Sequence, residues 1–503
     1  MWFGLRELLN ASSQRMINIL EALSVHEGWT TFADLSAATQ ASERTVAEDI
    51  SYLRKHWGQI LNMELSKKNG VRLQNQNAAS IGLVFNDLFN DSVALRWLKE
   101  LLFHPNNPAE FYGSKLYVSR STLSRLLPKI NRSLSKKGMT VHCRNNRYQL
   151  LGNNEQYLRD FSAGFLLELY GLDLQKYNLT LDLTLIKDLI LAVFTKSLHP
   201  QELAWVLEDD VSLAYQIMVY LVSLVREEQG YRIISDYPVE EEIDTLNWAD
   251  LQEHFPHINV DNLRPIHQFI FNQYHGWTSD AEKALVTCEI EAFLQRLFSV
   301  IPVFPDEDTQ YLLHFMVKSL YLNAKLRPFK TSELFNRIYY FSLSLKFTNP
   351  LLYQVVEENL KPFSHNVKLQ MSSKTADILF WMCLACPELY QFAQPRTALL
   401  IDGFGKPHAK FLVNVLSDFL NERNRSLLQI DIAHYPDVLT SSGLENYDII
   451  ITTIPNLPFS HQHVLLINDY PTYKDIYEIY KVLLMFPHQE NSFIPTTKRG
   501  YAF

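Results

Sequence analysis

From Phe111 to Asn154 the chain carries nine Lys or Arg residues and no Asp or Glu, within a protein of 503 residues whose formal net charge is −9. A merely solvated face mixes both signs, so an acid-free window of this length points to an anionic partner. Ser119 is placed to cap a helix, and Leu123, Leu126, Leu127, Ile130 and Leu134 then recur at helical spacing along one side. Ser121, Arg125, Lys129 and Arg132 take the opposite side, with Arg120 and Thr122 in the first turn. Pro128 falls inside this helix and costs about 3 kcal/mol unless a kink accommodates it. Met139–Cys143 and Arg147–Leu151 alternate as two short strands around the turn Arg144-Asn145-Asn146.

A helix followed by a basic hairpin is the pattern of a winged helix-turn-helix, with one helix for the major groove and a wing for the backbone. Ser119, Arg120, Ser121, Thr122, Arg125, Lys129, Arg132, Arg144 and Arg147 are the expected DNA contacts. A similar unit lies upstream. Helical spacing begins at Met16, Thr31-x-x-Asp34 opens a second helix, and Ser42 caps a third whose Val46, Ile50, Leu53 and Trp57 face inward. Arg44, Thr45 and Glu48 point outward, and Lys67 and Lys68 occupy an Asn-Gly hairpin turn. Glu43, Glu48 and Asp49 offset Arg44, Arg54 and Lys55, so the downstream unit should supply most of the phosphate attraction. Residues 1–154 hold nineteen basic and twelve acidic side chains, against 27 and 43 in the remainder, so a basic N-terminal third precedes an acidic body.

Ser42-Glu43-Arg44-Thr45-Val46-Ala47-Glu48-Asp49-Ile50 resembles the recognition-helix signature of bacterial winged-helix regulators. Its tandem with Val118-Ser119-Arg120-Ser121-Thr122-Leu123 is similar to the Mga/AtxA-like regulators. That resemblance implies a global or virulence-type transcription activator, tuned by phosphotransferase-system proteins through histidine phosphorylation.

Between Glu155 and Pro395 helical spacing dominates, with breaks at Gly171, Pro200, Gly230, Pro238, Gly276, Pro302 to Pro305, Pro328 and Pro350. Periodicity gives two helical bundles meeting near Trp277, and the resemblance implies that they are two PRDs. Tyr311-Leu312-Leu313-His314 resembles the helical Tyr-Leu-x-x-His element of those modules, making His314 the phosphorylation candidate of the second bundle, with His199 and His267 those of the first. From Arg396 strands and helices alternate: strands at 398–401, 427–432, 449–453 and 464–467, helices at 409–420 and 473–486, hence a small parallel sheet. This end resembles an EIIB-like domain, in which a phosphorylatable cysteine ends the first strand. Here that loop reads Asp402-Gly403-Phe404-Gly405-Lys406, which leaves docking or self-association as its role.

The expected domains are therefore 1–80 and 81–154 (winged helix-turn-helix), 155–277 and 278–394 (helical, PRD-like) and 395–503 (EIIB-like α/β), in a mainly α multidomain chain. Cys383-Leu384-Ala385-Cys386 lies in an apolar run without a second ligand pair, and His461-Gln462-His463 is an isolated pair, so neither predicts a metal site. No Walker loop or catalytic signature is present, and no cofactor or enzymatic activity is expected. Four cysteines fit a reducing compartment, and no apolar run approaches the ~18 residues that span a bilayer, which predicts a cytoplasmic protein without membrane contact. The expected partners are double-stranded DNA, a second copy of the chain as a homodimer or higher, and phosphotransferase-system phosphocarrier proteins. The competing reading is a phosphotransferase-system component or docking protein that binds no DNA.

Overall fold

The structure, a computed structural model, describes residues 5–25, 28–74, 78–171, 181–233, 248–301, 303–327, 337–391, 396–420, 428–433, 444–455, 457, 459 and 461–485. It is mostly helical, and the described strands form three small sheets. The breaks expected at Pro238, Pro302 and Pro328 lie outside these residues. The described chain divides into two compact units, one of residues 1–280 with 321–337 and the other of 281–320 with 338–503. Among the described residues no helix is long and apolar enough to cross a membrane.

The first unit opens with α1 (Ala11–Val25), α2 (Phe32–Thr39) and α3 (Glu43–Leu61), followed by β1 (Met63–Ser66) and β2 (Gly70–Leu73). Val46, Ile50 and Leu53 are buried, as their spacing predicts, while Trp57 is half-buried and donates its indole N–H to Asp87 at 2.8 Å. Gly70 is required where β2 begins: its φ is +99°, and a Cβ there would lie 2.1 Å from the Thr30 carbonyl oxygen.

The same order then repeats. α4 (Ala78–Asn90) and α5 (Val93–Phe103) precede β3 (Asn107–Pro108), α6 (Ala109–Leu116), α7 (Arg120–Ser135), β4 (Met139–Arg144) and β5 (Arg147–Gly152), with strand order β3-β5-β4. Trp97 of α5, Tyr112 of α6 and Tyr148 of β5 pack as an aromatic core, with Trp97 and Tyr148 centroids 5.5 Å apart. Truncating Trp97 to alanine should cost about 3–5 kcal/mol. α7 runs unbroken through Pro128.

Seven helices follow in sequence: α8 (Glu155–Tyr170), α9 (Leu183–Ser197), α10 (Pro200–Glu208), α11 (Asp210–Glu228), α12 (Trp248–His254), α13 (Val260–His275) and α14 (Asp280–Val300). Gly171 and Gly276 are the C-caps of α8 and α13, and Pro200 sits at the first position of α10. Then come α15 (Glu307–Leu326), α16 (Arg337–Thr348), α17 (Pro350–Asn366), α18 (Thr375–Ala385) and α19 (Glu388–Gln391). The first unit takes in residues 321–337 although its main span ends at Asp280. Arg327 explains this, since its guanidinium meets Asp160 at 2.8 Å and lies over the rings of Tyr215 and Phe269.

The second unit ends in a sheet of order β7-β6-β8-β9, all parallel, built from β6 (Arg396–Ile401), β7 (Leu428–Ala433), β8 (Ile449–Thr452) and β9 (Val464–Leu466). Ala398, Leu400, Ile449 and Ile451 pack with α20 (Lys406–Leu420) and α21 (Tyr473–Met485) in one core, while Leu399, Ile401 and Ile450 face the other side. Alternate residues of a strand point to opposite faces, so the apolar runs noted in the sequence serve two cores.

Candidate nucleic-acid interface

α7 presents the residues that the sequence singled out. The Ser119 hydroxyl accepts from the Thr122 amide at 3.3 Å and starts the helix. Leu123, Ile130 and Leu134 are fully buried, Leu126 and Leu127 half-buried, and Ser121, Arg125, Lys129 and Arg132 exposed on the other side.

The acid-free window is not acid-free in space. Arg120 meets Glu110 at 3.5 Å, Lys136 meets Glu7 at 3.0 Å and Lys115 lies 3.9 Å from Glu100, so folding brings carboxylates from outside the window to bases within it. A hydrogen bond from its own backbone, and after it the Asn146 amide and the Arg120 guanidinium, hold the Glu110 carboxyl below the ordinary value. Arg125, Lys129, Arg132 and Arg144 reach no carboxylate among the described residues, and the Arg125 Nε donates to the Ser121 carbonyl of its own helix.

The hairpin turn is two residues, not the three read from sequence: Asn145 and Asn146 sit at φ 52° and 60°, and Arg144 belongs to the strand, directly opposite Arg147. Like charges facing each other across a sheet are destabilising. Arg147 is relieved in part by donating to the Asn106 carbonyl at 2.6 Å, and Arg120 donates to the Asn146 side chain at 3.5 Å, which ties the start of α7 to the tip of the hairpin. A residue that sequence reasoning missed sets the angle between them. Asn131 donates to the Val141 carbonyl at 3.0 Å and accepts from the Val141 amide at 2.7 Å, clamping α7 to β4.

In the upstream unit Ser42 caps α3, accepting from the Thr45 amide at 3.2 Å. Arg44 and Glu48 are both well exposed and pair with each other at 3.2 Å, and Lys67 and Lys68 are exposed in the hairpin turn. Asp49 does not belong to the outward charge balance, because it is buried and holds Arg15 at 2.7 Å and Ser12 at 2.7 Å.

The candidate histidines lie apart from this face in sequence and differ in surroundings. His199 is exposed ahead of α10, its amide donating to Glu202 at 2.9 Å. His267 is half-buried and hydrogen-bonds the fully buried Tyr220 hydroxyl at 2.8 Å. His314 is half-buried on α15, where the Lys318 ammonium lies 5.0 Å from the ring centre of Phe315. Burial pushes the thiols of Cys383 and Cys386 up to about 12, which suits packing rather than metal or redox chemistry. The His461 ring is held by the backbone of Tyr447 and His463.

A family model described as the Mga helix-turn-helix domain matches residues 77–165, the span from α4 into α8. A trans-acting regulator of Streptococcus pneumoniae is 28% identical over 166 residues, 33% of each chain. The capsule synthesis positive regulator AcpA of Bacillus anthracis is 24% identical over 152 residues, 30% of this chain and 31% of that one. The anthrax toxin expression trans-acting positive regulator of the same organism is 23% identical over 127 residues, 25% and 26% of the two chains. The chain thus spans about a third or less of the length of the curated relatives it matches.

Proposed function

We propose that this chain, which belongs to the Mga/AtxA-like regulators, is a transcription regulator that grips duplex DNA with α7 in the major groove and the β4–β5 hairpin on the backbone. The observation that carries the reading is the set Arg125, Lys129, Arg132 and Arg144, cationic, exposed and without a carboxylate among the described residues. The facing Arg144 and Arg147 support it, since an anion between them would remove their repulsion. Each lysine or arginine that neutralises a phosphate releases a counterion, so salt dependence reports the number of such contacts. Arg125→Ala should weaken binding to all sequences alike and reduce the salt slope by about one. Unchanged affinity and slope would move the interface elsewhere.

In this reading the two N-terminal units are winged helix-turn-helix domains, the helical regions PRD-like and the parallel-sheet domain EIIB-like. The chain acts in the cytoplasm as an activator and self-associates through its C-terminal domain. Phosphoryl transfer from a phosphotransferase-system protein needs an accessible imidazole. That requirement favours the exposed His199 over His267, which is spent on Tyr220, and keeps His314 as the candidate on α15. Phosphate analysis of the purified chain after incubation with a phosphorylated phosphocarrier tests this, with His199→Ala and His314→Ala expected to lower incorporation.

A further inference from the structure

The turn leading into each capped helix carries a residue that the backbone does not favour. From the bridge that precedes the second helix to the capping serine, the two N-terminal units share one register, each landmark recurring 77 residues later. Thr30 bridges Val71 as Asn107 bridges Tyr148, Phe32–Thr39 corresponds to Ala109–Leu116, and Ser42 corresponds to Ser119. Gln40 and Tyr117 therefore hold the same place, as C-caps of α2 and α6 two residues before the capping serine, at φ 54° and 56°. This left-handed conformation strains any residue with a Cβ and is where helix ends ordinarily take glycine.

The chain does use glycine in this turn, but elsewhere. A Cβ on Gly113 would lie 2.8 Å from the Val118 carbonyl oxygen, so backbone crowding requires glycine at 113. At 117 the conformation favours glycine and a tyrosine stands instead. Its amide donates to the Gly113 carbonyl, a bond that any residue but proline would make. The side chain is 92% exposed, and neither ring nor hydroxyl has a partner among the described residues. An unpacked aromatic contributes nothing to the fold that offsets the strain, and strain retained without a structural return marks a site of contact.

We infer that Tyr117 is a further DNA contact, its hydroxyl donating to a phosphate oxygen and its ring lying against the sugar, and that Gln40 holds the same post in the upstream unit. The inference rests on the reading of α7 as the DNA-facing helix. Tyr117 stands at the same end of α7 as Arg120, whose guanidinium reaches the hairpin tip. A neutral hydroxyl displaces no counterion, so its contribution is independent of salt, in contrast to that of Arg125.

The test titrates the full-length chain with a labelled mixed-sequence duplex of about 30 base pairs over a salt series, because backbone contacts need no particular sequence. Tyr117→Phe should bind roughly tenfold more weakly at every salt concentration with an unchanged slope. Tyr117→Gly should bind at least as weakly yet melt at a higher temperature, since relieving the left-handed strain stabilises the fold while the contact is lost. A purely structural tyrosine would not separate the two readouts in this way. If both variants bind like the wild type while Arg125→Ala weakens binding, Tyr117 is no contact and the α7 reading stands. If Arg125→Ala is itself without effect, the α7 reading falls and this inference with it. A melting temperature below wild type for Tyr117→Gly overturns the inference as well, by showing the ring to be held by packing.

Discussion

Asn131 illustrates what a single side chain contributes that no periodicity reveals. It lies in α7 between inward and outward faces, and both halves of its amide are used on the backbone of the buried Val141. Asn131→Ala leaves an N–H and a C=O without partners, so urea unfolding should show a loss of about 2 kcal/mol, with weaker DNA binding as the hairpin loses its angle. Leu123, Ile130 and Leu134 were legible because burial repeats at helical spacing. Asp49 was not, because an acid in a recognition-helix signature reads as surface charge until Arg15, 34 residues earlier in the chain, is seen to cover it.

His408 makes a second residue-scale case. Its Nδ1 faces the Asp402 carboxylate at 3.0 Å and its Nε2 faces the Asp469 carbonyl at 2.9 Å, so only the doubly protonated ring donates to both. The hydrogen bond to Asp402 raises the imidazole above its ordinary value, with burial opposing. Burial pulls the Asp402 carboxyl upward, but hydrogen bonds from Thr453, His408 and the Phe404 amide outweigh it and leave it below the ordinary value. A raised histidine contributes stability that is complete below its unfolded value of 6.5 and is lost as pH rises through the folded one. Asp402 contributes stability that is complete above 3.8 and is lost as pH falls through its own folded value. The melting temperature of the C-terminal domain should therefore fall as pH rises above about 6.5, and His408→Gln should flatten that decline while leaving the acid limb in place.

At the scale of elements, α3 and α7 are the same device with different charge: three acids offset three bases in α3, while α7 carries four bases and no acid. In their shared register Glu43 corresponds to Arg120 and Glu48 to Arg125. Glu48 holds Arg44, which lowers the attraction that α3 offers a phosphate. Replacing Glu48 with arginine frees Arg44 and adds a cation, so the salt slope of DNA binding should steepen by about one to two. An unchanged slope would place the outward face of α3 away from the duplex.

Elements with a single buried stripe were legible to within a few residues, as for α21, expected over 473–486 and observed over Tyr473–Met485. α5 hides its period because Leu95, Trp97, Leu98, Leu101 and Leu102 bury nearly every side of it. β3 has only two residues and exists through pairing with β5, so it carries no local signal at all. Pro128 removes an amide from the interior of α7, yet the helix continues past it from Arg120 to Ser135.

At the scale of the whole molecule, the expected boundary between 154 and 155 is a change of architecture without being a mechanical joint. Asn154 caps α8 immediately after β5, and Glu155 in its first turn accepts two bonds from Arg226 of α11, each at 2.7 Å, and one from Arg159 at 3.1 Å. Arg159 reaches on to Glu227 at 2.7 Å, and Arg226 extends to the Leu150 carbonyl of β5 at 3.4 Å. The Arg159 and Arg226 side chains are wholly buried. Gln229, just past α11, donates to the Leu102 carbonyl at the end of α5. The basic helix and hairpin are thus fastened to the helices that follow them by charges that are stable only while all partners are present. Arg226→Met keeps the volume but leaves one Glu155 oxygen without its cation, at a cost of about 3 kcal/mol, while Arg159 still holds the other. The wild type should lose amide protection in β4, β5, α8 and α11 together, in one cooperative opening. In Arg226→Met the hairpin should exchange first, separately from α8 and α11, and DNA affinity should fall although no outward-facing residue has changed. Concerted exchange in the variant, with wild-type affinity, would show that the hairpin is held by its own helix alone.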